Sequence, residues 1–422
     1  MSDLKIVMLV RNHFVSSDWK DPRVYKEAQA LLQAGHDVVV IGIGKEGLEL
    51  PEKEVVDGIV VVRRPTIVNY LYNLWLRHFP AAGDRQHDDR RGLGVWGKFF
   101  RIVLNLRHNL NHVLFYAAVL PPAVRERADV YVGHDFDGLL AAYPAARLTG
   151  AHLVYDSHEL WVERARGRPY FSWQKWWVTW QEKFVCQRCD LVIAVSQSVS
   201  QVLSKRYEIA APLVIPNVHP YVEAKPSPSI RKKLNRGADS RVAIYVGFLN
   251  AGKGLEALID AADYLEGITL AIVGDGESRQ ELEQRVREKR LERKVLFVGW
   301  VSPEELPTYV ASADIGVSPL QSEWLNYYYN VDNKFFLYVM GGIPLAVSDQ
   351  PEKRRLVEQF GIGTTFDETD PKDIARAIRQ LLADPAAYEA MRGRCRRAAR
   401  EALNWEIVAQ DYVSAMERLH VG

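Results

Sequence analysis

A lysine inside a glycine-rich turn is the clearest candidate for chemistry in this chain. Lys253 lies within Gly247-Phe-Leu-Asn-Ala-Gly-Lys-Gly254, between a stretch that reads as a strand and one that reads as a helix. Backbone N–H groups of such a turn, together with an ammonium group, can neutralise a departing diphosphate. Lys253 is therefore predicted to be catalytic, although a lysine in the first turn of a helix can also be simply solvated.

A capped helix further along the chain predicts a second contact for phosphates. The run Val331-Asp-Asn-Lys-Phe-Phe-Leu-Tyr-Val-Met-Gly-Gly-Ile-Pro-Leu-Ala-Val-Ser-Asp349 reads as a helix followed by a proline and a short strand. Asp332 and Asn333 are expected to cap this helix. Its N–H groups and positive dipole end would point into a cleft, so Asn333 and Lys334 are predicted to contact the phosphates.

Two histidines, each beside a carboxylate, follow apolar stretches in the N-terminal half. His134 precedes Asp135, and Asp156 lies in the segment Tyr-Asp-Ser-His158-Glu159. Ligands of doubly wound sheets lie outside the carboxyl ends of the strands, which favours a role in a cleft for these groups. The alternative is that both histidines are hydrogen-bonded supports of their own turns.

The elements that must position these residues alternate between strand and helix along the chain. This alternation predicts parallel sheets, and 422 residues are too many for one core. Prolines and basic residues interrupt the apolar pattern between Pro216 and Ser240, which predicts a domain boundary there. We expect an N-terminal domain of residues 1–218, completed by a C-terminal helix at 404–422, and a C-terminal domain of residues 219–403.

Composition indicates a cytoplasmic protein without affinity for nucleic acid. The formal net charge is +1, and 48% of the residues are hydrophobic. Three cysteines do not form a disulfide framework, and Cys186-Gln-Arg-Cys189 lacks a second pair with metal-ligand spacing. No signal peptide or membrane-spanning segment is predicted.

Two amphipathic segments depart from the doubly wound pattern. One runs from Asn69 to about Asn111, with a helix predicted from Trp96 that places Val113 and Ala117 on its apolar face. The other is Trp173-Gln-Lys-Trp-Trp-Val-Thr-Trp180. Aromatic faces beside basic residues favour a membrane surface. Packing in the core is the preferred interpretation, because this spacing is typical of a packed helix.

The ordered motifs resemble those of GT-B nucleotide-sugar glycosyltransferases, the retaining family four (glycosyltransferases group 1) in particular. The helix, Gly-Gly, Pro, strand and Ser-Asp run is similar to that family's donor-binding signature, and the turn at Lys253 to its diphosphate-binding turn. The first strand and helix, from Lys5 to Ala34, look like the start of its N-terminal domain. Three further segments follow in the family's order, Leu270–Glu277, Val295–Trp300 and Ala313–Pro319.

The resemblance implies a fold and a reaction. The fold is α/β, with two doubly wound (Rossmann-like) parallel-sheet domains facing across a cleft. The implied enzyme is a metal-independent, hexosyltransferase-like glycosyltransferase of glycan, cell-envelope polysaccharide or glycolipid biosynthesis. It would move a sugar, with retention, from a nucleotide diphosphate sugar to a hydroxyl of a saccharide or lipid-linked acceptor. No cofactor is implied beyond the donor substrate, and peripheral contact with the inner face of the membrane fits a lipid-linked acceptor.

The resemblance also implies site residues. His134 resembles the histidine that the family uses near the donor sugar and is predicted to be catalytic together with Lys253. Predicted donor-binding residues are Gly247, Phe248, Lys253, Gly274, Gly276, Trp300, Glu323, Tyr329, Asn333 and Lys334. Predicted acceptor-side residues are Asn12, Asp135, Asp156, His158 and Glu159.

Two positions depart from the family pattern. Phe248 stands where the family usually has an arginine, and Leu337 where it has a glutamate that binds the ribose, with Tyr329 at the place of the preceding glutamate. Each lost charged hydrogen bond costs about 1.5 to 3 kcal/mol. Either Glu323 and Lys334 substitute, or the chain is a non-catalytic binding or scaffold subunit. A nucleotide-sugar epimerase is a further alternative.

Overall fold

A computed structural model of the chain describes residues 3–11, 21–44, 51–64, 113–163, 171–227, 229–234, 237 and 240–421. The strands of these residues form two sheets. The first sheet contains β1 (Lys5–Leu9), β2 (Asp37–Ile43), β3 (Lys53–Val56), β4 (Ile59–Arg64), β5 (Val130–His134), β6 (His152–Ser157), β7 (Leu191–Ala194) and β8 (Leu213–Val214). The second contains β9 (Arg241–Val246), β10 (Ile268–Val273), β11 (Val295–Gly299), β12 (Ile315–Ser318), β13 (Leu345–Ser348) and β14 (Gly363–Phe366).

The first sheet has the order β3-β4-β2-β1-β5-β6-β7-β8. All of its neighbouring strands are parallel except β3 and β4. Strands β1 and β5 are almost entirely buried, as continuous apolar runs predict for a sheet covered by helices on both faces. The chain proceeds outwards from β1 in one direction and from β5 in the other. A crevice therefore opens at the carboxyl ends of these two strands.

The second sheet is entirely parallel and has the order β11-β10-β9-β12-β13-β14. Its strand order reverses between β9 and β12, so the second crevice lies at their carboxyl ends. The glycine-rich turn follows β9 directly, and residues 319–324 follow β12. The prediction of two doubly wound parallel sheets is confirmed.

Helices connect the strands and cover both sheets. They are α1 (Pro22–Gln33), α2 (residues 113–126), α3 (Asp135–Thr149), α4 (Ser172–Cys186), α5 (Gln197–Tyr207), α6 (Ser229–Lys233), α7 (Leu255–Ala261), α8 (Arg279–Glu288), α9 (Leu306–Ala311), α10 (Leu325–Tyr329), α11 (Asn333–Met340), α12 (Pro351–Phe360), α13 (Pro371–Leu382), α14 (Pro385–Glu401) and α15 (Trp405–Val421). A short 3₁₀ turn, Trp161–Glu163, precedes α4.

Helix α1 starts as its sequence favours and carries two charged groups into the interior. The carboxylate of Asp21 accepts hydrogen bonds from the backbone N–H groups of Arg23 and Val24, at 3.0 and 3.3 Å. Pro22 occupies the first turn, where its missing N–H costs nothing. Arg23 and Glu27 are buried on the inner face of the helix, near the end of β6.

The last helix, α15, packs against α1 rather than against the second sheet alone. The ammonium group of Lys26 lies 5.0 Å from the ring centroid of Trp405. Tyr412 and Met416 are fully buried in the same apolar core as Val24. The C-terminal end of the chain thus packs against the helix layer of the first sheet. The exact domain limits at residues 218 and 403 stay predictions.

The predicted core packing of the Trp173–Trp180 segment is wrong. Trp173, Trp176, Trp177 and Trp180 lie on the outer face of α4 and are 62%, 65%, 46% and 46% exposed. The buried face of α4 instead ends in Val185 and Cys186 and carries Glu182. Periodicity identified a helical face correctly, but it could not tell on which side of the helix the core lies.

Helix α2 shows the same kind of error. Val113 and Ala117 were expected on its apolar face, yet both are exposed, and the buried residues are Phe115, Val119 and Ala123. The buried face is therefore displaced by two positions along the sequence. Residues 69–111, which include the remaining part of this prediction, lie outside the described residues.

Candidate active site

The two sheets meet at the loop after β12 and the turn after β6. Asn326, in helix α10, is buried and donates a hydrogen bond of 2.8 Å from its Nδ2 to Oε2 of Glu159. Its Oδ1 accepts from the backbone N–H of Leu160 at 3.0 Å. One amide side chain therefore joins the predicted acceptor-side turn to the predicted donor loop. The sequence pattern contains no signal for these two contacts of Asn326.

The glycine-rich turn after β9 has a backbone that requires glycine. Gly254, the N-cap of α7, has φ of +70°, and a Cβ on it would lie 1.8 Å from the carbonyl oxygen of Pro319. This contact brings the turn directly against the loop after β12. Lys253 lies just before this cap and not inside the helix. Its Nζ donates to Oη of Tyr327 at 3.3 Å and lies 4.5 Å from the centre of that ring.

Asp332 does not cap α11 with its side chain, contrary to the prediction. Its carboxylate lies 2.9 Å from Nζ of Lys334 and 3.5 Å from Nζ of Lys353, and accepts a hydrogen bond from Ser318. A charge-assisted bond to Lys334 and the nearby charge of Lys353 outcompete bonds to neutral backbone N–H groups. Burial alone would raise the pKa of Asp332, but the charges of Lys334 and Lys353 hold it well below its usual range.

Lys353 is a site residue that the sequence reasoning missed. It is fully buried in the first turn of α12, and its Nζ also lies 3.4 Å from Oγ of Ser318. Burial lowers the pKa of Lys353, and the charge of Asp332 opposes that effect. Two ammonium groups facing one carboxylate leave a net charge of about +1, which favours an anion near the start of α11.

Lys334 also reaches the glycine-rich turn. A Cβ built on Gly247, whose φ is +143°, would lie 3.3 Å from Cε of Lys334. The ammonium group lies 5.0 Å from the ring of Tyr245, whose hydroxyl donates to the carbonyl of Phe248 at 3.0 Å. The structure therefore brings together Gly247, Lys334 and the start of α11, which the sequence separates by more than eighty residues.

The remaining predicted donor glycines have a local packing reason. A Cβ on Gly274 would lie 2.0 Å from the carbonyl oxygen of Gly247, and one on Gly276 would lie 2.6 Å from that of Leu249. Both glycines let the turn after β10 pack on the turn after β9. Phe248, after β9, and Trp300, after β11, are 75% and 70% exposed. They present open aromatic surfaces at this rim.

The other predicted donor residues are spread around the loop after β12. The backbone carbonyl of Tyr329 accepts from Oγ of Ser196 at 2.9 Å, and Oδ1 of Asn333 accepts from Asn217 at 3.3 Å. Both residues thus lie against the N-terminal part of the chain. Glu323 is exposed, whereas Leu337 is buried in the apolar core. Leu337 therefore serves packing and offers no polar group to a ribose.

Glu368, which the sequence pattern did not single out, holds the loop that carries Glu323. Its Oε1 accepts from the backbone N–H of Ser322 at 3.1 Å and also from the Ser322 hydroxyl. A carboxylate located some forty residues later in the sequence thus fixes the residue next to Glu323. Sequence spacing contains no signal for such a contact, because only the fold brings β14 near β12.

A buried charge cluster lies at the carboxyl ends of β5 and β6. Asp156 makes a two-point ion pair with Arg23, with N–O distances of 2.7 and 2.8 Å. Oδ2 of Asp156 also lies 3.1 Å from Nδ1 of His134 and 2.9 Å from Nε2 of His158. Nδ1 of His158 lies 3.6 Å from Asp135. The predicted residues of this region are therefore in mutual contact, around an arginine to which the sequence pattern assigned no role.

The environment sets different protonation states for the two histidines. Burial lowers the pKa of His134, although Asp156 opposes it. Burial acts the same way on His158, but the charges of Asp135 and Asp156 outweigh it and raise its pKa to about 10. A neutral His134 that donates from Nδ1 to Asp156 keeps a lone pair on Nε2. That atom is buried and has no hydrogen-bond partner among the described residues.

Within the described part of the chain, the same cluster brings ligand atoms close enough for a metal. Side-chain atoms of His134, Asp156 and His158 lie within 4.8 Å of one another. Arg23 already binds both oxygens of the Asp156 carboxylate, and its positive charge opposes a cation there. The donor set therefore suits an ion-pair network better than a metal centre. Asn12 lies outside the described residues, so its predicted place in this region stays a prediction.

Two facing doubly wound domains, with cationic groups around a glycine-rich turn in one crevice, define a glycosyltransferase of the GT-B type. Residues 240–384 match the family model described as glycosyl transferases group 1, and residues 80–218 match the model of glycosyltransferase family 4. The chain belongs to this family and is an enzyme that transfers a sugar from a nucleotide-sugar donor in glycan biosynthesis. These matches favour neither the non-catalytic nor the epimerase alternative.

Individual relatives agree with the family assignment. Glycogen synthase of Mycobacterium tuberculosis is 26% identical over 416 residues, which covers 92% of this chain and 87% of the relative. Among solved structures, sucrose-phosphate synthase from Thermosynechococcus elongatus has a TM-score of 0.74 at 19% identity, with 99% of both chains covered. Anabaena HepE in complex with UDP has a TM-score of 0.68 at 17% identity, with 98% and 100% covered. The structural matches show the GT-B fold.

Proposed function

We propose that this glycosyltransferase transfers a hexose with retention, and without a metal, to a hydroxyl of a saccharide or lipid-linked acceptor. One observation carries the proposal: the ammonium groups of Lys253 and Lys334 both belong to the wall formed by the glycine-rich turn and the start of α11. Two fixed positive charges beside uncapped helix N–H groups can stabilise a diphosphate as it departs.

The donor would lie along the carboxyl ends of the second sheet. Its phosphates would meet Lys253, Lys334 and the backbone N–H groups at Asn333, which the Asp332 side chain leaves uncapped. The exposed rings of Trp300 and Phe248 suit the flat face of a nucleobase. Because Leu337 offers no carboxylate, Glu323 is the proposed acceptor for the ribose hydroxyls. Relatives that use GDP-mannose or that crystallise with UDP leave the base undecided.

In the proposed reaction, the bond between the sugar's anomeric carbon and the phosphate oxygen breaks first. The ammonium groups of Lys253 and Lys334 balance the charge that develops on the diphosphate. The acceptor oxygen bonds to the anomeric carbon on the same face, and its proton passes to the departing phosphate oxygen. The lone pair on Nε2 of His134 would accept a hydrogen bond from a donor-sugar hydroxyl and so orient the ring.

On the acceptor side, His158 and Asp135 are the proposed contacts, because their side chains retain 18% and 16% exposure. Asp156, whose carboxylate already pairs with Arg23 and both histidines, would position His158 and His134 rather than touch the acceptor. Glu159, through its bond to Asn326, would link acceptor binding to the donor loop. Closure of the two domains would exclude water from the reacting bond.

We propose a cytoplasmic location, which agrees with the cysteine chemistry. Cys186, Cys189 and Cys395 are all free thiols, and burial raises the pKa of each of them, so that they are unreactive. Within the described residues, no helix has the length and apolar character that crossing a bilayer requires. The net charge of +1 gives no support for binding nucleic acid.

A panel of UDP, GDP, ADP and TDP sugars tests this proposal. At a hundred times its dissociation constant, the correct donor should stabilise the protein by about 2.7 kcal/mol in a thermal-shift assay. NMR of the product with a simple sugar acceptor should show the anomeric configuration of the donor. No response to any nucleotide sugar would contradict donor binding, and an inverted product would contradict retention.

A further inference from the structure

Helix α4 presents an exposed aromatic strip, called here the indole face and formed by Trp173, Trp176, Trp177, Trp180 and Phe184. The rings are stacked along the helix: centroids of Trp177 and Trp180 are 5.0 Å apart, and those of Trp180 and Phe184 are 5.7 Å apart. The four tryptophans expose on the order of 500 Å² of side chain, taking about 250 Å² for a whole one. This is at the upper limit of the apolar patches on soluble monomers.

The outward orientation of the indole face is fixed by the opposite side of α4. The buried carboxylate of Glu182 accepts hydrogen bonds from the hydroxyls of Tyr155 and Tyr207, at 2.7 and 2.6 Å. Val185 and Cys186 pack in the core of the first sheet. Rotating the helix to cover the tryptophans would expose Val185 and break both bonds to a buried carboxylate. Among the described residues, the indole face therefore stays exposed and is open to a partner surface.

The charges around the indole face favour an anionic partner. The solvent-accessible ionic side chains of α4 are the cationic Lys175 and Lys183, because Glu182 points inward, and the exposed Arg188 and Asp190 follow the helix. The guanidinium group of Arg188 lies 3.6 Å from the ring of Phe184, within the strip itself. Glu208 pairs with Lys183, and Glu163 is shared by Lys175 and Arg206. With Arg188 and Asp190 included, four cations face three carboxylates, which leaves one positive charge in excess. Tryptophan beside lysine and arginine is the composition that favours the interface of a lipid bilayer.

The indole face also lies next to the acceptor side of the active site. The 3₁₀ turn Trp161–Glu163 joins α4 to the segment with His158 and Glu159, and Nζ of Lys175 lies 2.8 Å from Oε1 of Glu163. Trp161 packs with Phe136 at the base of that turn. A flat surface on the indole face would thus be close to the edge of the cleft where the acceptor enters.

We propose that the indole face docks on an anionic lipid bilayer and so presents lipid-linked acceptors to the cleft. The proposal rests on the proposed function for its purpose, but the docking itself does not depend on catalysis. The indole N–H groups would meet headgroups while the ring faces enter the acyl boundary. Lys175, Lys183 and Arg188 would add an attraction that salt screens.

Vesicle flotation tests the docking directly. The full chain should bind vesicles that contain phosphatidylglycerol at low salt, and it should bind less at high salt and to pure phosphatidylcholine. The double variant Trp173→Ser/Trp176→Ser should weaken vesicle binding by roughly tenfold or more, because both indoles leave the interface. Tyr264→Ser, which removes an exposed aromatic residue of the second sheet's layer, should bind as the wild type does.

Three further measurements distinguish lipid docking from misfolding, from a failed donor site and from self-association. The double variant should keep the wild-type thermal shift with the donor nucleotide and the wild-type rate on a water-soluble acceptor, so a misfolded variant or a failed donor site would be recognised. If the wild type does not bind anionic vesicles at low salt, the proposal is wrong. If the wild type instead forms a dimer without lipid and the double variant is a monomer, the indole face is an interface between copies.

Discussion

Replacing Lys253 by alanine should slow sugar transfer far more than it destabilises the fold. The Lys253 ammonium group lies in the turn after β9 and has one described polar contact, the 3.3 Å bond to the hydroxyl of Tyr327. The side chain is only partly buried, so its loss leaves no unpaired group in the core. Its proposed role is to balance the charge that appears on the diphosphate in the transition state.

The size of the effect follows from the bond that is lost. A hydrogen bond between charged groups contributes about 1.5 to 3 kcal/mol, which corresponds to a loss of roughly tenfold to 150-fold in kcat/KM. Tyr327→Phe is the matched control, because it removes the hydroxyl but keeps the ring 4.5 Å from the ammonium group. Its loss should stay below about fivefold, because the ammonium group that faces the diphosphate and its contact with the ring both remain.

The assay compares kcat/KM of the wild type and both variants with the donor found in the nucleotide panel, with thermal unfolding as the measure of the fold. Lys253→Ala should keep the wild-type melting temperature within about 2 °C. A loss of less than tenfold for Lys253→Ala would refute the leaving-group role. An equal loss for both variants would show instead that Lys253 acts by holding Tyr327 in place.

Three further predictions concern the donor loop and the buried cluster. If Glu323 replaces the family's ribose carboxylate, Glu323→Gln should raise the dissociation constant of the nucleotide by roughly tenfold in calorimetry. If the wild type binds the donor and the variant has the same dissociation constant, Glu323 does not have that role. Asn326→Ala should raise KM for the acceptor more than it lowers donor affinity, because it removes both bonds that join the loop to Glu159 and Leu160. An unchanged acceptor KM would contradict a coupling between the donor loop and the acceptor-side turn. Burial, then the charge of Asp156, raises the pKa of Glu27 from 4.5 to about 8. The contribution of Glu27 to the free energy of unfolding is therefore complete below pH 4.5 and is lost as the pH rises to 8. Glu27→Gln should therefore flatten the decline of the urea unfolding midpoint between pH 5 and 8, and an unaltered slope would show that another group causes it.

The sequence by itself determined the element order, the fold class and the two local segments that form the proposed diphosphate site. Strand, glycine-rich turn and helix are local patterns, because they depend on φ values and apolar spacing that a few neighbouring residues dictate. For this reason β9, the turn with Lys253, and α11 (Asn333–Met340) lie where the sequence predicts them. The ordered series of such motifs was also enough to indicate the family.

Only the tertiary structure decided which partners the polar and aromatic groups have. Asp332 could cap its own helix by sequence, but Lys353, whose position depends on β13 and α12, helps draw its carboxylate away. Asp156 is paired with Arg23 through the contact of α1 with the end of β6. The tryptophans of α4 form a helical face in either interpretation, and they face outward because Glu182 satisfies two tyrosine hydroxyls on the inner side. Periodicity defines a face from neighbours in sequence, whereas burial and ion pairing depend on groups that only folding brings together.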